Sequence, residues 1–212
     1  SIGSGKGEQG GSEYGMVSHD FFPEDEKKAA WARDDFNSDG KQDLVTASPK
    51  LGELLFLPAA KNSEFGLPQK NPSLKGITSL SSCRFSVSKN PGLVILSPEE
   101  KIVGLSEFNG KKRFSFPVPL SVEGDAILSN CSDLDGDGLD EILIVVERKS
   151  DFILQVWTKG KGKNYQVSSE IELDEWKREP SAIFPCYLNQ DEQIDLVLLS
   201  DREAGQLLLN NG

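Results

Sequence analysis

Two nine-residue stretches carry the chemistry that this sequence offers. "DFNSDGKQD" runs from Asp35 to Asp43, and "DLDGDGLDE" runs from Asp133 to Glu141. Both fit the pattern D-x-[DN]-x-D-G-x-x-[DE]. Oxygen-bearing side chains stand at positions one, three, five and nine: Asp35, Asn37, Asp39 and Asp43 in one, Asp133, Asp135, Asp137 and Glu141 in the other. Glycine at position six (Gly40, Gly138) permits the sharp turn that folds these groups about one centre. The backbone carbonyl of position seven (Lys41, Leu139) can join them. Carboxylates crowded this closely repel and raise one another's pKa unless a cation cancels them. Hard oxygens in a flexible loop suit Ca2+ better than a transition metal, which prefers His or Cys. One Ca2+ is expected in each loop; the alternative is a pair of solvated turns rich in Asp, Asn and Gly.

An EF-hand fails on spacing. That loop needs a bidentate Glu at position twelve, where this sequence has Thr46 and Ile144, each inside an apolar run. No helical heptad flanks either loop, so the ninth-position carboxylate has to close the site.

The apolar runs that must position these loops repeat. "LVTASP" from Leu44, "LVILSP" from Leu93, "ILIVVE" from Ile142 and "LVLLSD" from Leu196 recur at intervals of 49, 49 and 54 residues. Each is β-branched and of strand length, with turn residues on both sides. A second run follows each one ("ELLFLP", "KIVGLS", "FILQVW", "QLLLNN"), and another precedes it ("AAWAR", "ITSLSSC", "AILSNC", "AIFPC"). A polar alternating run lies between units at "RFSFPVPL" from Arg113 and "NYQVSSEIEL" from Asn164. Four short strands in a repeat of about 50 residues is the pattern of a β-propeller blade. The expected fold is all-β, a propeller of about four four-stranded blades, rather than a sandwich, which has no reason to restart the same pattern four times.

The division reads as a flexible N-terminus at 1–13 and an outer strand of a preceding or closing blade at 14–26. Blade 1 covers 27–76, blade 2 77–124, blade 3 125–180, and an incomplete blade 4 181–212. The acidic loops then fall between the first and second strands of blades 1 and 3. Blade 4 keeps Asn189, Asp191 and Asp195 but has Tyr187 and Glu192 where the first carboxylate and the glycine belong. Blade 2 has no acid in "RFSVSKNPG", and Arg84 stands at its first position. No ion is expected in either. Cys83, Cys131 and Cys186 read as one equivalent position near the end of the first strand, a small buried residue facing the axis rather than a redox, metal or cross-linking group.

The sequence resembles the FG-GAP-like, or VCBS, repeat family, the relatives of integrin α-subunit propellers. "DFNSDGKQDLVTASP", "DLDGDGLDEILIV", "EFGLP" at 64–68 and "GQLLLNNG" at 205–212 carry the likeness, over about residues 27–212. The resemblance implies a propeller with calcium in the hairpin between the first two strands of a blade, and an extracytoplasmic setting: secreted, periplasmic or cell surface. It also implies a recognition or scaffolding platform. Family rings usually have about seven or eight blades, so this chain is expected to be a piece of a larger ring, or a partial ring completed by another copy or chain.

Charge and composition exclude other classes. With 34 acidic and 23 basic residues the net charge is −11, which gives no basic face for phosphates or anionic lipid. No run approaches the roughly 18 apolar residues that span a bilayer, and the first residues lack the basic start and apolar core of a signal peptide. "GSGKG" at 3–7 lacks the Ser or Thr after its Lys that a phosphate loop needs. His19 is the only histidine, which removes most catalytic triads and any His-based metal cluster. "NCS" at 130–132 matches a glycosylation acceptor but lies at a strand end, and is discounted. Trp31, Trp157 and Trp176 read first as blade-interface residues and second as a sugar platform. Two functions survive. One is a non-catalytic, calcium-stabilised propeller that binds protein or glycan. The other is an enzyme or enzyme subunit using the propeller funnel, such as a polysaccharide lyase or a cofactor-bearing oxidoreductase.

Overall fold

The computed structural model describes residues 30–48, 50–60, 65–87, 89–110, 113–160, 164–173, 176–201 and 204–211. The strand expected at Tyr14–Phe22, the terminus at 1–13 and His19 lie outside the described residues.

Fifteen strands form four antiparallel sheets, each a meander in chain order. Sheet 1 holds β1 (Trp31–Asp34), β2 (Asp43–Ser48), β3 (Glu53–Leu57) and β4 (Gln69–Pro72). Sheet 2 holds β5 (Ser79–Cys83), β6 (Gly92–Ser97), β7 (Ile102–Ser106) and β8 (Val118–Pro119). Sheet 3 holds β9 (Asp125–Ser132), β10 (Glu141–Arg148), β11 (Asp151–Lys159) and β12 (Tyr165–Glu172). Sheet 4 holds β13 (Ala182–Cys186), β14 (Asp195–Leu199) and β15 (Gln206–Leu208).

The second strands of sheets 2 and 3 are apolar on both faces because a sheet stacks on each side of them. Every residue of β6 and the first six of β10 are buried. Strand alternation then assigns the faces. Val45 and Phe56 of sheet 1 meet Leu80, Leu93 and Ile95 of sheet 2. The opposite face of sheet 2, with Val94, Leu96 and Val103, meets Ile142, Ile144 and Trp157 of sheet 3. Leu143, Val145 and Leu154 on the far side of sheet 3 meet Ile183, Leu196, Leu198 and Leu208 of sheet 4. Each such side chain, fully buried, contributes about 1.5–3 kcal/mol of transfer free energy. The first strands β1, β5, β9 and β13 are neighbours in that order. The remaining face of sheet 4 leaves Phe184, Leu199 and Leu207 exposed.

Two sequence expectations change. The run from Arg113 supplies only Val118–Pro119 to sheet 2, plus a bridge from Phe114 to Phe108. Pro117 and Pro119 have no N–H to offer a ladder. Cys131 is not equivalent to the other two cysteines. Cys83 and Cys186 pair with Gly92 and Asp195, the first residues of their second strands, whereas Ser132 is what pairs with Glu141 and Cys131 pairs with Ile142. One step along a strand turns a side chain to the other face, so Cys131 looks back toward sheet 2.

Candidate metal centre

Both acidic stretches form the connection between first and second strands, and their ninth residue opens the second strand: Asp43 opposite Asp34, Glu141 opposite Ser132. Position two anchors each connection in the next interface. Phe36 is fully buried against Phe114 and Phe56, at ring-centroid distances of 5.2 and 6.4 Å. Phe85 packs between sheets 2 and 3, and Leu134 between sheets 3 and 4. Leu188, with no sheet beyond it among the described residues, is 42% exposed. These anchors are the residues a search for charge passes over; the repeated "DF", "RF", "DL" and "YL" was the available signal.

In the hairpin between β9 and β10, one carboxylate oxygen each from Asp133, Asp135 and Glu141 lies within 4.8 Å of the others. Gly138, at φ +85°, turns its N–H back to Asp133 Oδ2 at 2.9 Å. Asp135 Oδ1 accepts from Asp137 N at 3.1 Å, and Asp137 Oδ1 from Leu139 N at 2.7 Å. Glu141 Oε2 accepts from Leu134 N at 2.8 Å. Asp133 Oδ1 is buried and has no hydrogen-bond partner, an arrangement that costs free energy unless something electropositive meets it. Burial pushes the Glu141 carboxyl up to about 7, partly opposed by the Leu134 N–H and reinforced by Asp135, Asp137 and Asp133. A set of oxygen donors with one orphaned, buried acceptor fits a hard divalent cation. Asp137 is exposed at the open side of the loop and stands outside the three-carboxylate group.

The hairpin between β1 and β2 has the same plan and a tighter internal network. Asp35 spends both oxygens on the turn, Oδ1 on Asp39 N at 2.9 Å and Oδ2 on Gly40 N at 2.8 Å. Asn37 Oδ1 also accepts from Asp39 N at 2.9 Å, and Asp39 Oδ1 accepts from Lys41 N at 3.0 Å. Asp43 is fully buried; its Oδ1 accepts from Ala59 N at 2.8 Å and from Asn37 Nδ2 at 3.3 Å, while Oδ2 has no partner. Burial raises the Asp43 carboxyl, against the Ala59 N–H that lowers it, with Asp39 adding to the rise. Here too an orphaned, buried oxygen faces a donor set of oxygens, although the acids do not gather as closely as in the third sheet.

The fourth connection keeps the bend. Glu192 adopts φ +64° at the glycine position, and Asp191 Oδ1 accepts from Gln193 N at 3.0 Å. Asn189 Oδ1 accepts from Asp191 N at 2.9 Å, and its Nδ2 donates to Asp191 Oδ2 at 2.8 Å. Asp195, fully buried, satisfies Leu188 N with Oδ2 and Asn210 N with Oδ1, both at 2.9 Å. Both oxygens are used. In the second connection the Arg84 backbone meets Asp140 of the third: its N–H donates to the Asp140 side-chain Oδ2 at 2.5 Å and its carbonyl accepts from Asp140 N at 3.1 Å.

Other sequence candidates resolve simply. Trp157 is buried between sheets 2 and 3, and Trp176 packs against the sheet 3–4 core and donates to Gln206 Oε1 at 2.9 Å; Trp31 is 58% exposed. Asn130 donates to Ile183 O at 2.8 Å and accepts from Cys131 N at 2.8 Å, so its amide is already engaged. A cleft of about 470 Å3 opens beside the acidic triad between sheets 3 and 4. Its floor is apolar (Val156, Ile171, Leu196, Leu208), and Asp135, Thr158, Gln193 and Asn210 stand on its rim. Asn210 Nδ2 donates to Leu134 O at 3.0 Å, tying the end of sheet 4 to the acidic loop.

No family model matches this sequence, and no curated protein matches it. Among solved structures, a lectin from Agrocybe aegerita, described as specifically recognising non-reducing terminal N-acetylglucosamine, is similar with a TM-score of 0.58 at 17% identity. The likeness covers 87% of this chain and 50% of the lectin chain, so this chain spans half the length of that protein. At this identity the likeness speaks for the fold: an all-β array of stacked antiparallel sheets shared with a lectin.

Proposed function

We propose that this chain forms consecutive blades of a β-propeller of the FG-GAP-like, or VCBS, type, acting outside the cytoplasm as a non-catalytic glycan-recognition module braced by Ca2+. The orphaned, buried Asp133 Oδ1 beside Asp135 and Glu141 supports the cation most directly. Asp133, Asp135, Asp137 and Glu141, with the Leu139 carbonyl, are the ligand set of one site; Asp35, Asn37, Asp39 and Asp43, with the Lys41 carbonyl, are that of the other. The ion's role is structural. It neutralises a partly buried carboxylate cluster at the rim of the sheet 3–4 cleft and stabilises the hairpin by mass action. Glycan as the ligand class is supported by the fold shared with a lectin and by the cleft, whose apolar floor and hydrogen-bonding rim match the two faces of a sugar ring.

The test is a glycan array with the purified chain in calcium and in chelator, alongside calorimetric titration of Ca2+. Binding to a defined set of glycans that weakens in chelator, with Ca2+ uptake reduced in Asp133→Asn, is the expected outcome. No Ca2+ uptake by the parent chain overturns the metal reading, and a blank array overturns the ligand class.

A further inference from the structure

We propose that Cys83 and Cys131 form a disulfide that joins sheet 2 to sheet 3 beside the acidic hairpin. The argument starts from register. Cys83 ends β5 and shares a face with Val94 and Leu96, the face that meets sheet 3. Cys131 pairs with Ile142 and shares a face with Ile144 and Val146, the face that meets sheet 2. Had Cys131 stood one residue later, in the position equivalent to Cys83, it would have pointed away toward sheet 4. The one-residue offset aims the two thiols at each other across a single interface, where both belong to one packed cluster.

Contacts on both sides of the pair tie sheet 2 to sheet 3. On one side, just past β5 and just before β10, Arg84 N donates to the Asp140 carboxylate at 2.5 Å and Arg84 O accepts from Asp140 N at 3.1 Å. On the other side Ser79 and Ser81 both donate to Ser129 O at 3.3 Å. A disulfide needs a fixed separation and facing Cβ vectors before the sulfurs can close to about 2 Å, and these contacts supply that constraint. Cys83 is fully buried, so the bond would be shielded from reductants once the sheets have docked. Cys186 occupies the position equivalent to Cys83, but on the uncovered face of sheet 4, and is therefore the internal control.

The oxidant is a small-molecule disulfide such as oxidised glutathione, or a protein disulfide. One cysteine thiolate attacks it, forming a mixed disulfide and releasing one thiol. The second cysteine attacks the protein sulfur of that mixed disulfide and releases the other thiol. Two protein thiols are oxidised, one disulfide is reduced, and both protons leave with the two released thiols.

The test is to refold the full chain in a glutathione redox buffer, quench with acid, denature, alkylate, and map peptides without reduction. One alkylated cysteine, Cys186, and a peptide linking Cys83 to Cys131 are expected, with a mass loss of about 2 Da for the two hydrogens. Cys186→Ser should leave no alkylated cysteine, and Cys131→Ser should leave two. Where Cys83→Ser fails to refold, these two variants still decide the matter by their thiol counts. Alkylation of all three cysteines in the refolded parent overturns the proposal, as does a link that uses Cys186 or joins two molecules.

Discussion

Glu141→Gln should stabilise the chain in chelator and lose that advantage in calcium. Glutamine can keep the hydrogen bond from Leu134 N, because its carbonyl accepts as Glu141 Oε2 does at 2.8 Å. What it removes is a carboxylate whose pKa burial has raised from 4.5 to about 7. At about 1.36 kcal/mol per unit the shift corresponds to about 3 kcal/mol. The loop opens to solvent at Asp135 and Asp137, and screening there reduces the figure to about 1–2 kcal/mol. The folded-state pKa lies above the unfolded one, so between about 4.5 and 7 the folded chain holds a proton that the unfolded chain has released. Stability of the chelated parent therefore falls as pH rises through that window and levels off above it. Chelated Glu141→Gln should lack this pH slope and exceed the parent at pH 8 by about 1–2 kcal/mol. With calcium at about 100 times the dissociation constant the parent gains about 2.7 kcal/mol, whereas a site weakened about 10–100-fold gains only about 0.4–1.4. The assay is urea unfolding followed by tryptophan fluorescence at pH 5 and pH 8, in chelator and in calcium. A variant less stable than the parent in chelator at pH 8, or one that calcium stabilises as much as the parent, refutes the reasoning.

Asp195→Asn replaces one of the two acceptor oxygens that serve the Leu188 and Asn210 N–H groups, and should cost about 1–3 kcal/mol, equally in calcium and in chelator by urea unfolding. Glu192→Gly relieves a left-handed backbone at φ +64° and should raise the unfolding free energy by about 0.5–1 kcal/mol, seen as a higher denaturant midpoint. Phe36→Ala empties a fully buried ring site between Phe56 and Phe114 and should cost about 3–5 kcal/mol in thermal unfolding, while weakening calorimetric Ca2+ uptake at the first hairpin.

Strand identity was readable because the second strands run through the core, β6 and β10 between two sheets and β2 and β14 against one. Val45, Val94, Ile144 and Leu198 must all be apolar, and their runs carry no competing helical period. The position of the acidic stretches between first and second strands followed from the same runs. The aim of individual oxygens did not. Asp35 and Asp133 hold the same place in the pattern, yet one gives both oxygens to turn amides and the other leaves Oδ1 without a partner. That difference lies in torsions a motif does not encode. The slip at Cys131 is written in the spacing, 11 residues before Ile142 where Cys83 and Cys186 stand 10 before Leu93 and Leu196, but one residue reads as loop length until the register places Ser132 opposite Glu141. The Arg113 run alternated convincingly, but its prolines removed the donors that a ladder needs.

Glu192 and Asp195 show what survives when an acidic loop decays. The backbone still makes its left-handed step without a glycine, and the ninth carboxylate still fastens two neighbouring amides, with neither oxygen left without a partner. Shape and charge are thus kept by different residues. On the proposed reading, such a repeat exchanges its metal-binding capacity by substitutions at the tip alone, while the core strands beneath it keep their pairing.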